Sequence, residues 1–515
     1  MKDSRTLNTS RNIVSGLINR IISIILPFIN RTIIIYTLGV EFTGLSSLFT
    51  SILSVLSIAE LGFNTAIIYS MYKPIAEKND QEVRKLLVLY KKIYFVVGFV
   101  ILMGGAILLP FIPRLINGEI PNSINIYILF LLYLINTVIS YFMFSYKESI
   151  LLAYQRQDIS NNIRSKVLLL QYVAQAIMLL VFKDYYLFLV VAILSTLLTN
   201  ILLAMKANKY FPQYRNIKFS NIGIKEIPKD IKKNVGGLLI GKISDQARNS
   251  FDSIILSIFF GLTTVGIYNN YYYIYSALYG IMLVICNSMG ASVGNSIVTE
   301  TKEKNYNDCI KFSFGAAWIS GWISICMLCL YQVFMKIWVG ERLLLSNFNM
   351  FLFCLYFYVI NMNNIRNQYS SGNGLWWNMK YIFVFEAISN IFLNIVLAKI
   401  MGITGIILAT IITIFVFNFV LRTKILFRDY FCNNKLMEFF KKHFIWFVYI
   451  LITAIITYIL CSLINCNLIL KLFLNGIICL IVPNVILFLF FKNSKEFIEW
   501  KEFIRNFIVN IRNER

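Results

Sequence analysis

Long apolar runs follow one another along this chain of 515 residues, separated by short polar breaks. About 20 consecutive apolar residues in a helix span the hydrocarbon core of a membrane. By that length the sequence predicts an all-α polytopic membrane protein with about 14 transmembrane helices. The predicted spans cover residues 12–38, 43–72, 88–112, 123–146, 165–182, 185–205, 235–260, 265–297, 311–335, 346–365, 379–398, 401–421, 443–464 and 467–491.

The two halves of the chain share a pattern that indicates an internal repeat. The turn after the first span has two glycines five residues apart, and a similar turn follows the seventh span. A single offset of 222 residues relates Gly39 to Gly261, Gly44 to Gly266, Arg20 to Lys242 and Asn30 to Asp252. Because both halves begin on the same side of the membrane, we expect a parallel repeat with its pseudo-twofold axis along the membrane normal.

This repeat predicts two six-helix lobes around a central cavity, followed by two further helices. The predicted domains are an N-terminal lobe (1–205), a basic cytoplasmic linker (206–234), a C-terminal lobe (235–425), helices 13 and 14 (426–491) and a cytoplasmic tail (492–515). Apolar residues recur at helical spacing among the charges of the tail, which favours a helix in the plane of the membrane surface.

The net charge of +23 does not require a nucleic-acid partner. Of the 48 Lys and Arg residues, the predicted topology puts 38 on the side of the N-terminus, 6 on the other side and 4 within spans. Basic residues gather in cytoplasmic loops and near anionic membrane lipids. We therefore expect both termini on the cytoplasmic side of the membrane, with lipids as partners and no nucleic acid.

Charged side chains within two predicted spans point to a polar cavity. Lys242, Asp245, Arg248 and Asp252 fall within one arc of roughly 120° around the seventh helix. Each ionisable group at mid-bilayer costs about 2.5–3.5 kcal/mol, so that face is expected to line a hydrated, protein-walled space. In the first span, Arg20 lies eleven residues before the next arginine, Arg31, so the two share a helix face.

The second span and the turn before it carry a recognisable motif. Its features are Gly39, Glu41 and Gly44, then Glu60-Leu61-Gly62, Ala66, Tyr72-Lys73-Pro74 and Asp80. This stretch resembles the N-terminal region of Wzx-type flippases for polysaccharide repeat units (O-antigen or capsule). These proteins belong to the multidrug/oligosaccharidyl-lipid/polysaccharide exporter superfamily. The resemblance is closest over residues 1–95, and the repeat and the span count extend it over most of the chain.

The resemblance implies a V-shaped transporter that moves polyprenyl-diphosphate-linked oligosaccharides from the inner to the outer leaflet by alternating access. It implies that cavity cations meet the diphosphate, a role that would pass here to Arg20, Arg31, Lys242 and Arg248. The sequence contains no P-loop, metal cluster or nucleophile triad, so we expect no catalytic residues, no metal and no bound cofactor. A glycan polymerase and other assembly proteins are the expected partners.

The same charges have a second interpretation, which is pairing inside the membrane. Helical spacing allows Lys242–Asp245, Asp245–Arg248 and Arg248–Asp252 pairs. A proton or sodium gradient is a further possibility, because an antiporter needs an acid that changes its charge within the membrane. The candidate acids and polar cavity residues are Glu60, Asp245, Asp252, Glu386 and Asn390.

Three other functions compete with this one. A lipid II flippase shares the plan of fourteen spans, and a multidrug (MATE) transporter would need an acidic cavity for cationic drugs. A membrane glycan polymerase or ligase would need a sizeable external loop, whereas the external loops here are short.

Two clusters favour structural roles. Cys326 and Cys329 form a CxxC pair with no second pair beside it in sequence, which indicates core residues. The tyrosines between Tyr268 and Tyr279 are typical of an aromatic belt at the outer membrane surface, although tyrosines can also stack on sugars.

Overall fold

The computed structural model contains helices and connecting segments, with no strand among the residues it describes. These residues are 5–60, 63–118, 120–121, 123–215 and 229–513. Chain contacts group them into two compact units, Met1–Asn269 and Asn270–Arg515. The helices that begin in the first unit are α1 (Arg5–Thr37), α2 (Val40–Leu56), α3 (Phe63–Ala76), α4 (Asp80–Leu108), α5 (Ile126–Phe142), α6 (Glu148–Ala153), α7 (Gln157–Ile177), α8 (Tyr185–Tyr210) and α9 (Lys229–Ser288).

The second unit continues from the latter part of α9. Its helices are α10 (Gly290–Thr299), α11 (Lys302–Val339), α12 (Asn347–Asn361), α13 (Asn364–Gly372), α14 (Lys380–Met401), α15 (Ile403–Thr413), α16 (Arg422–Asp429), α17 (Leu436–Ser462), α18 (Leu468–Phe491) and α19 (Lys495–Asn513). A π-helical segment, Ile414–Leu421, joins α15 to α16. The predicted domain boundaries stay predictions, since the first part of α9 groups with the N-terminal helices and the linker residues 216–228 lie outside the described residues.

The predicted class of polytopic helical membrane protein is confirmed. Within the described residues, eleven helices are long and apolar enough to cross a membrane, and the bent pair Ile126–Phe142 and Ser145–Ala153 makes a twelfth. The sequence predicts about 14 because it divides the 64-residue stretch Gly236–Thr299 into two spans. It also treats as one span the segment that forms the shorter helices α2 and α3.

The bend within α9 is at Gly261, where φ is +78° and an L side chain would be strained. The repeat-related Gly39, which precedes α2, has φ of +112°. A second pair at the same offset of 222 residues, Gly118 and Gly340, has φ of +93° and +80°. The repeat predicted from sequence is therefore also visible in the backbone conformation of the turns.

The apolar residues divide between a packed core and an exposed surface. Phe49 and Phe130 in the first unit are fully buried and pack edge to face, with ring centroids 5.3 Å apart. Ile107, Val181 and Phe392 are more than half exposed, at 63, 68 and 64%. Large apolar side chains on the outside of a helical bundle suit contact with lipid tails.

Three of the six α9 tyrosines that the sequence assigns to an aromatic belt lie in the protein core. Tyr268, Tyr271 and Tyr275 are only 2, 0 and 1% exposed. They lie three and four residues apart, so one helix face carries all three into the protein core. In the second unit, Tyr275 stacks on Tyr356 with ring centroids 4.4 Å apart.

The tail forms the predicted helix, α19, and packs against the second unit. The ring of Trp500 lies against Gly315 of α11, where an added Cβ would be 2.6 Å from the indole. Glu496 pairs with Lys442 of α17 at 2.9 Å. Ile498 remains 54% exposed, which leaves an apolar surface for the predicted contact with the membrane.

We predict that Gly44→Ala and Gly266→Ala destabilise the protein by about 1–3 kcal/mol each, because there is no space for a methyl group. A Cβ at Gly44 would collide with the carbonyl oxygen of Leu262, and one at Gly266 would lie 2.5 Å from that of Val40. Thermal unfolding of the purified protein in detergent measures the effect. Gly476→Ala in α18 is the control, since its Cβ would meet nothing within 4 Å. Equal melting temperatures for all three variants would contradict this prediction.

Candidate functional site

Two arginines of α1 form one side of the candidate site. Arg20 is half-buried, and its Nε is buried with no hydrogen-bond partner among the described residues. Arg31 is also half-buried, and its Nη2 lies 3.4 Å from the carbonyl oxygen of Gly266 in α9. Both cations predicted on this helix therefore lie inside the first unit.

The direction of these arginines is fixed by their neighbours on α1. Asn19 donates from Nδ2 to Ser165 Oγ of α7 at 3.0 Å, and Asn30 donates to Gln175 Oε1 of α7 at 3.2 Å. Successive side chains on a helix point about 100° apart. Because the asparagines face α7, the arginine that follows each of them points to an adjacent face of α1.

The first part of α9 supplies the other predicted charges. Lys242 is half-buried. Arg248 is only 4% exposed and pairs with Asp245, whose side chain is 50% exposed, at 3.2 Å. Asp252 is 3% exposed and accepts a hydrogen bond from Tyr268 Oη at 3.2 Å. The structure thus supports internal pairing for Arg248.

A reciprocal backbone contact holds α9 against the N-terminal helices. Gly44 of α2 lies on the carbonyl of Leu262, and Gly266 lies on the carbonyl of Val40. These pairs exchange under the repeat offset, as expected for a contact across a local pseudo-twofold axis. Beside it, Thr263 Oγ1 donates to Glu41 Oε1 at 3.0 Å, between residues 222 apart in sequence.

The remaining predicted polar residues are Glu386 and Asn390 in the second unit and Glu60 in the first. Glu386 of α14 is fully buried and forms an ion pair with Arg422, which is 3% exposed. Asn390 donates from Nδ2 to the hydroxyls of Thr410 and Thr413 at 3.3 and 3.2 Å. The side chain of Glu60 is outside the described residues.

Three buried cations were missed by the sequence analysis: Arg422, described above, and Lys147 and Arg366, which both follow a break in a helix. Lys147 lies between α5 and α6, is 4% exposed, and donates to Asn208 Oδ1 at 2.5 Å. Arg366 in α13 is 1% exposed and donates to the backbone oxygen and side-chain Oδ1 of Asn418 at 2.7 and 2.6 Å. Lys147 and Arg366 each connect the short helix after the break to a later helix of their own half.

These buried cations are hard to recognise in the sequence because of their position relative to the apolar runs. Lys147, Arg366 and Arg422 each lie at the end of an apolar run, so the topology prediction counts them as basic residues of cytoplasmic loops. The internal repeat offers a sequence signal that would have identified two of these cations. With a slightly shorter offset than at the amino ends, Lys147 aligns with Arg366 at the end of the fourth span of each half.

Comparison with known proteins identifies the family. Residues 9–289 match the family described as polysaccharide biosynthesis protein, which is more than half of the chain. The chain belongs to this family. The matched region contains the candidate cations from Arg20 to Arg248 and ends before Glu386 and Asn390. A comparison with curated proteins gives no match.

Solved structures of membrane transporters share the fold of this family member. The lipid II flippase MurJ, in an inward closed conformation, has a TM-score of 0.67 at 14% identity, covering 94% of this chain and 99% of its own. An inward-facing multidrug resistance MATE family transporter of the MOP superfamily has a TM-score of 0.57 at 12% identity, covering 79 and 96%. The MATE transporter VcmN of Vibrio cholerae, in the bent form, has a TM-score of 0.53 at 13% identity, covering 84 and 99%. The likeness at these identities concerns the fold.

We predict that Glu386→Gln lowers the free energy of unfolding by about 3–5 kcal/mol, because Arg422 would keep a buried charge without its carboxylate. Unfolding followed by tryptophan fluorescence measures the change. Glu341→Gln is the matched control: Glu341 is 78% exposed, pairs with Lys336 at 3.1 Å and should change stability by less than about 1 kcal/mol. A similar small effect at both positions would show that the buried pair contributes little.

Proposed function

We propose that this protein is a flippase for polyprenyl-diphosphate-linked oligosaccharide repeat units in the bacterial plasma membrane. It moves them from the inner to the outer leaflet by alternating access and performs no bond-making chemistry. Membership of the polysaccharide biosynthesis family and the fold shared with MurJ and MATE transporters support a lipid-linked glycan flippase. The glycan is of the O-antigen or capsule class, and the termini face the cytoplasm, where a polymerase and other assembly proteins are the partners.

The observation that carries this proposal is the environment of Arg20. Its guanidinium lies within a candidate span, and its buried Nε has no hydrogen-bond partner among the described residues. The guanidinium groups of Arg248, Arg366 and Arg422 bond through Nη, whereas Arg20 shows no such bond in the described part of the chain. A cation in that position costs free energy that a protein recovers by pairing it. A diphosphate offers oxygens that suit the planar fork of arginine, so the substrate headgroup would supply the missing acceptor.

The other cations extend this site along the first unit. Arg31 lies about 16 Å beyond Arg20 on α1, at the rise of a helix. Lys242 is the repeat-related partner of Arg20 on α9. We propose that Arg20 and Lys242 receive the diphosphate and that Arg31 receives it later on the path. Arg248, paired with Asp245, contributes mainly to the structure of α9.

A flippase for lipid II is the second candidate, favoured by the TM-score of 0.67 with MurJ over 94% of this chain. Either flippase would transport an anionic polyprenyl diphosphate, and the two substrates differ in the glycan attached to it. The same cations would serve either substrate, so an assay with both glycans distinguishes the two functions.

We predict that Arg20→Ala/Lys242→Ala abolishes movement of a fluorescent polyprenyl-diphosphate glycan in proteoliposomes while the protein still folds. The reason is that the headgroup would lose both cations that offset its charge. Lys399→Ala is the control, because Lys399 is exposed and lies outside the site. Wild-type rates in the double variant would assign these residues to structural ion pairing. Failure of the wild type to move the probe would overturn the proposed function.

We propose the membrane potential as the driving force. A proton or sodium gradient would add to it if Glu60, Asp245, Asp252 or Glu386 changes its charge during transport. An inside-negative potential favours outward movement of an anion by about 2.3 kcal/mol per charge per 100 mV. We predict faster outward movement when a potassium diffusion potential makes the inside negative and slower movement when its sign is reversed. A rate that follows only a pH or sodium gradient would indicate coupling through a carboxylate.

A further inference from the structure

Spans far apart in sequence bring further cysteines to the CxxC pair of α11. Cys461 reaches it from the last turn of α17, and Cys479 from the middle of α18. The Sγ atoms of Cys329, Cys461 and Cys479 lie within 4.8 Å of one another. The three side chains are 6, 3 and 1% exposed, so they form a buried thiol cluster.

Cys326 adds a fourth thiol to the edge of this cluster. It lies one helical turn before Cys329 on the same face of α11. Its side chain contacts the thiol of Cys479, and its Sγ is 3.8 Å from the carbonyl oxygen of Cys479. All four cysteines are free thiols. The tertiary structure therefore places two further cysteines, Cys461 and Cys479, beside the CxxC pair of α11.

The geometry of the cluster suits a soft metal ion. Zinc–thiolate bonds of about 2.3 Å in a tetrahedral site place the ligand sulfurs about 3.8 Å apart. The three sulfurs therefore need to approach one another by about 1 Å at most to share one ion. Thiolate ligands select Cu⁺ and Zn²⁺, whereas Mg²⁺ and Ca²⁺ require oxygen ligands that this cluster lacks.

A second polar group adjoins the thiols. Asn475 lies one turn before Cys479 on α18 and donates from Nδ2 to the carbonyl oxygen of Cys329 at 3.4 Å. Its Oδ1 is buried and has no hydrogen-bond partner within the described part of the chain. Trp322 Nε1 donates to the carbonyl oxygen of Cys479 at 2.8 Å, which fixes α18 against α11. An amide oxygen beside metal ligands commonly orients them or accepts a hydrogen bond from the site.

We propose that Cys329, Cys461 and Cys479 bind one thiophilic metal ion, Cu⁺ or Zn²⁺, with Cys326 as a fourth ligand. Each ligating thiol loses its proton to solvent when the ion binds, so three thiolates leave the site with a net charge of −1 for Zn²⁺ or −2 for Cu⁺. A Cys326 thiol that stays protonated is a neutral ligand and adds no further charge. The bound ion would fasten α17 and α18 to α11. This role is independent of substrate transport, because it uses none of the candidate cations.

The test uses the full-length protein in detergent, stripped of metal and reduced under argon. Zn²⁺ and Cu⁺ are added separately with a competing chelator, bound metal is counted by elemental mass spectrometry, and alkylation of each cysteine is followed by peptide mass spectrometry. We expect about one ion per chain and slower alkylation of the four ligand cysteines with the ion bound than in the metal-free protein. Preference for one ion identifies the metal. Cys432, which is exposed and remote from the cluster, should react equally with and without metal.

Cys479→Ser is the variant that should lose the bound ion, and Cys432→Ser is its matched control, expected to retain it. Equal metal content in both variants, or no metal in the wild type above background, would overturn the proposal. If Cys479→Ser fails to fold, the milder Cys461→Ser takes its place. In the wild type, removal of the ion by chelator should restore alkylation and lower the melting temperature, and unchanged values for both would reject the site.

Discussion

A charged side chain inside a membrane span must be met by other polar groups, because lipid tails offer none. The second unit satisfies this constraint around Arg366, Arg422 and Glu386, all less than 5% exposed. One carboxylate balances one of the two guanidinium groups, and oxygens of Asn418 receive the other. Asn418 lies in the π-helical segment Ile414–Leu421, where the altered hydrogen-bond ladder makes a backbone carbonyl available.

In the first unit, the charged side chains differ in whether they have a polar partner. Arg248 has a carboxylate partner three residues away on the same helix, and Asp252 accepts a hydrogen bond from Tyr268. The Nε of Arg20 is buried with no partner among the described residues, and no ion pair of Arg20 is seen there. The Nε atoms of Arg248, Arg366 and Arg422 are also buried without a hydrogen-bond partner there, but each of those guanidinium groups bonds through an Nη atom. The difference that supports the proposed role of Arg20 is therefore the absence of such a bond in the described part of the chain.

The internal repeat includes a close backbone contact between α2 and α9. Gly44 and Gly266 allow α2 and α9 to approach so closely that a carbonyl of each lies against the glycine of the other. Side chains at these positions would separate the helices and move Arg31 away from the carbonyl of Gly266. The glycines therefore determine how closely α9, which carries Lys242 and Arg248, approaches α2.

The sequence by itself determined the helical membrane class, the approximate positions of the spans, the glycine repeat and the charged faces of α1 and α9. These features follow from local composition and helical spacing, which one segment carries alone. Tertiary structure alone decided which charges are paired: it buried Lys147 and Arg366, and it joined Glu386 to Arg422 across 36 residues. It also brought together cysteines from α11, α17 and α18 and placed three of the α9 tyrosines in the core. Contacts between distant segments depend on how the helices pack against one another. The periodicity within one segment does not specify which other helix packs against it.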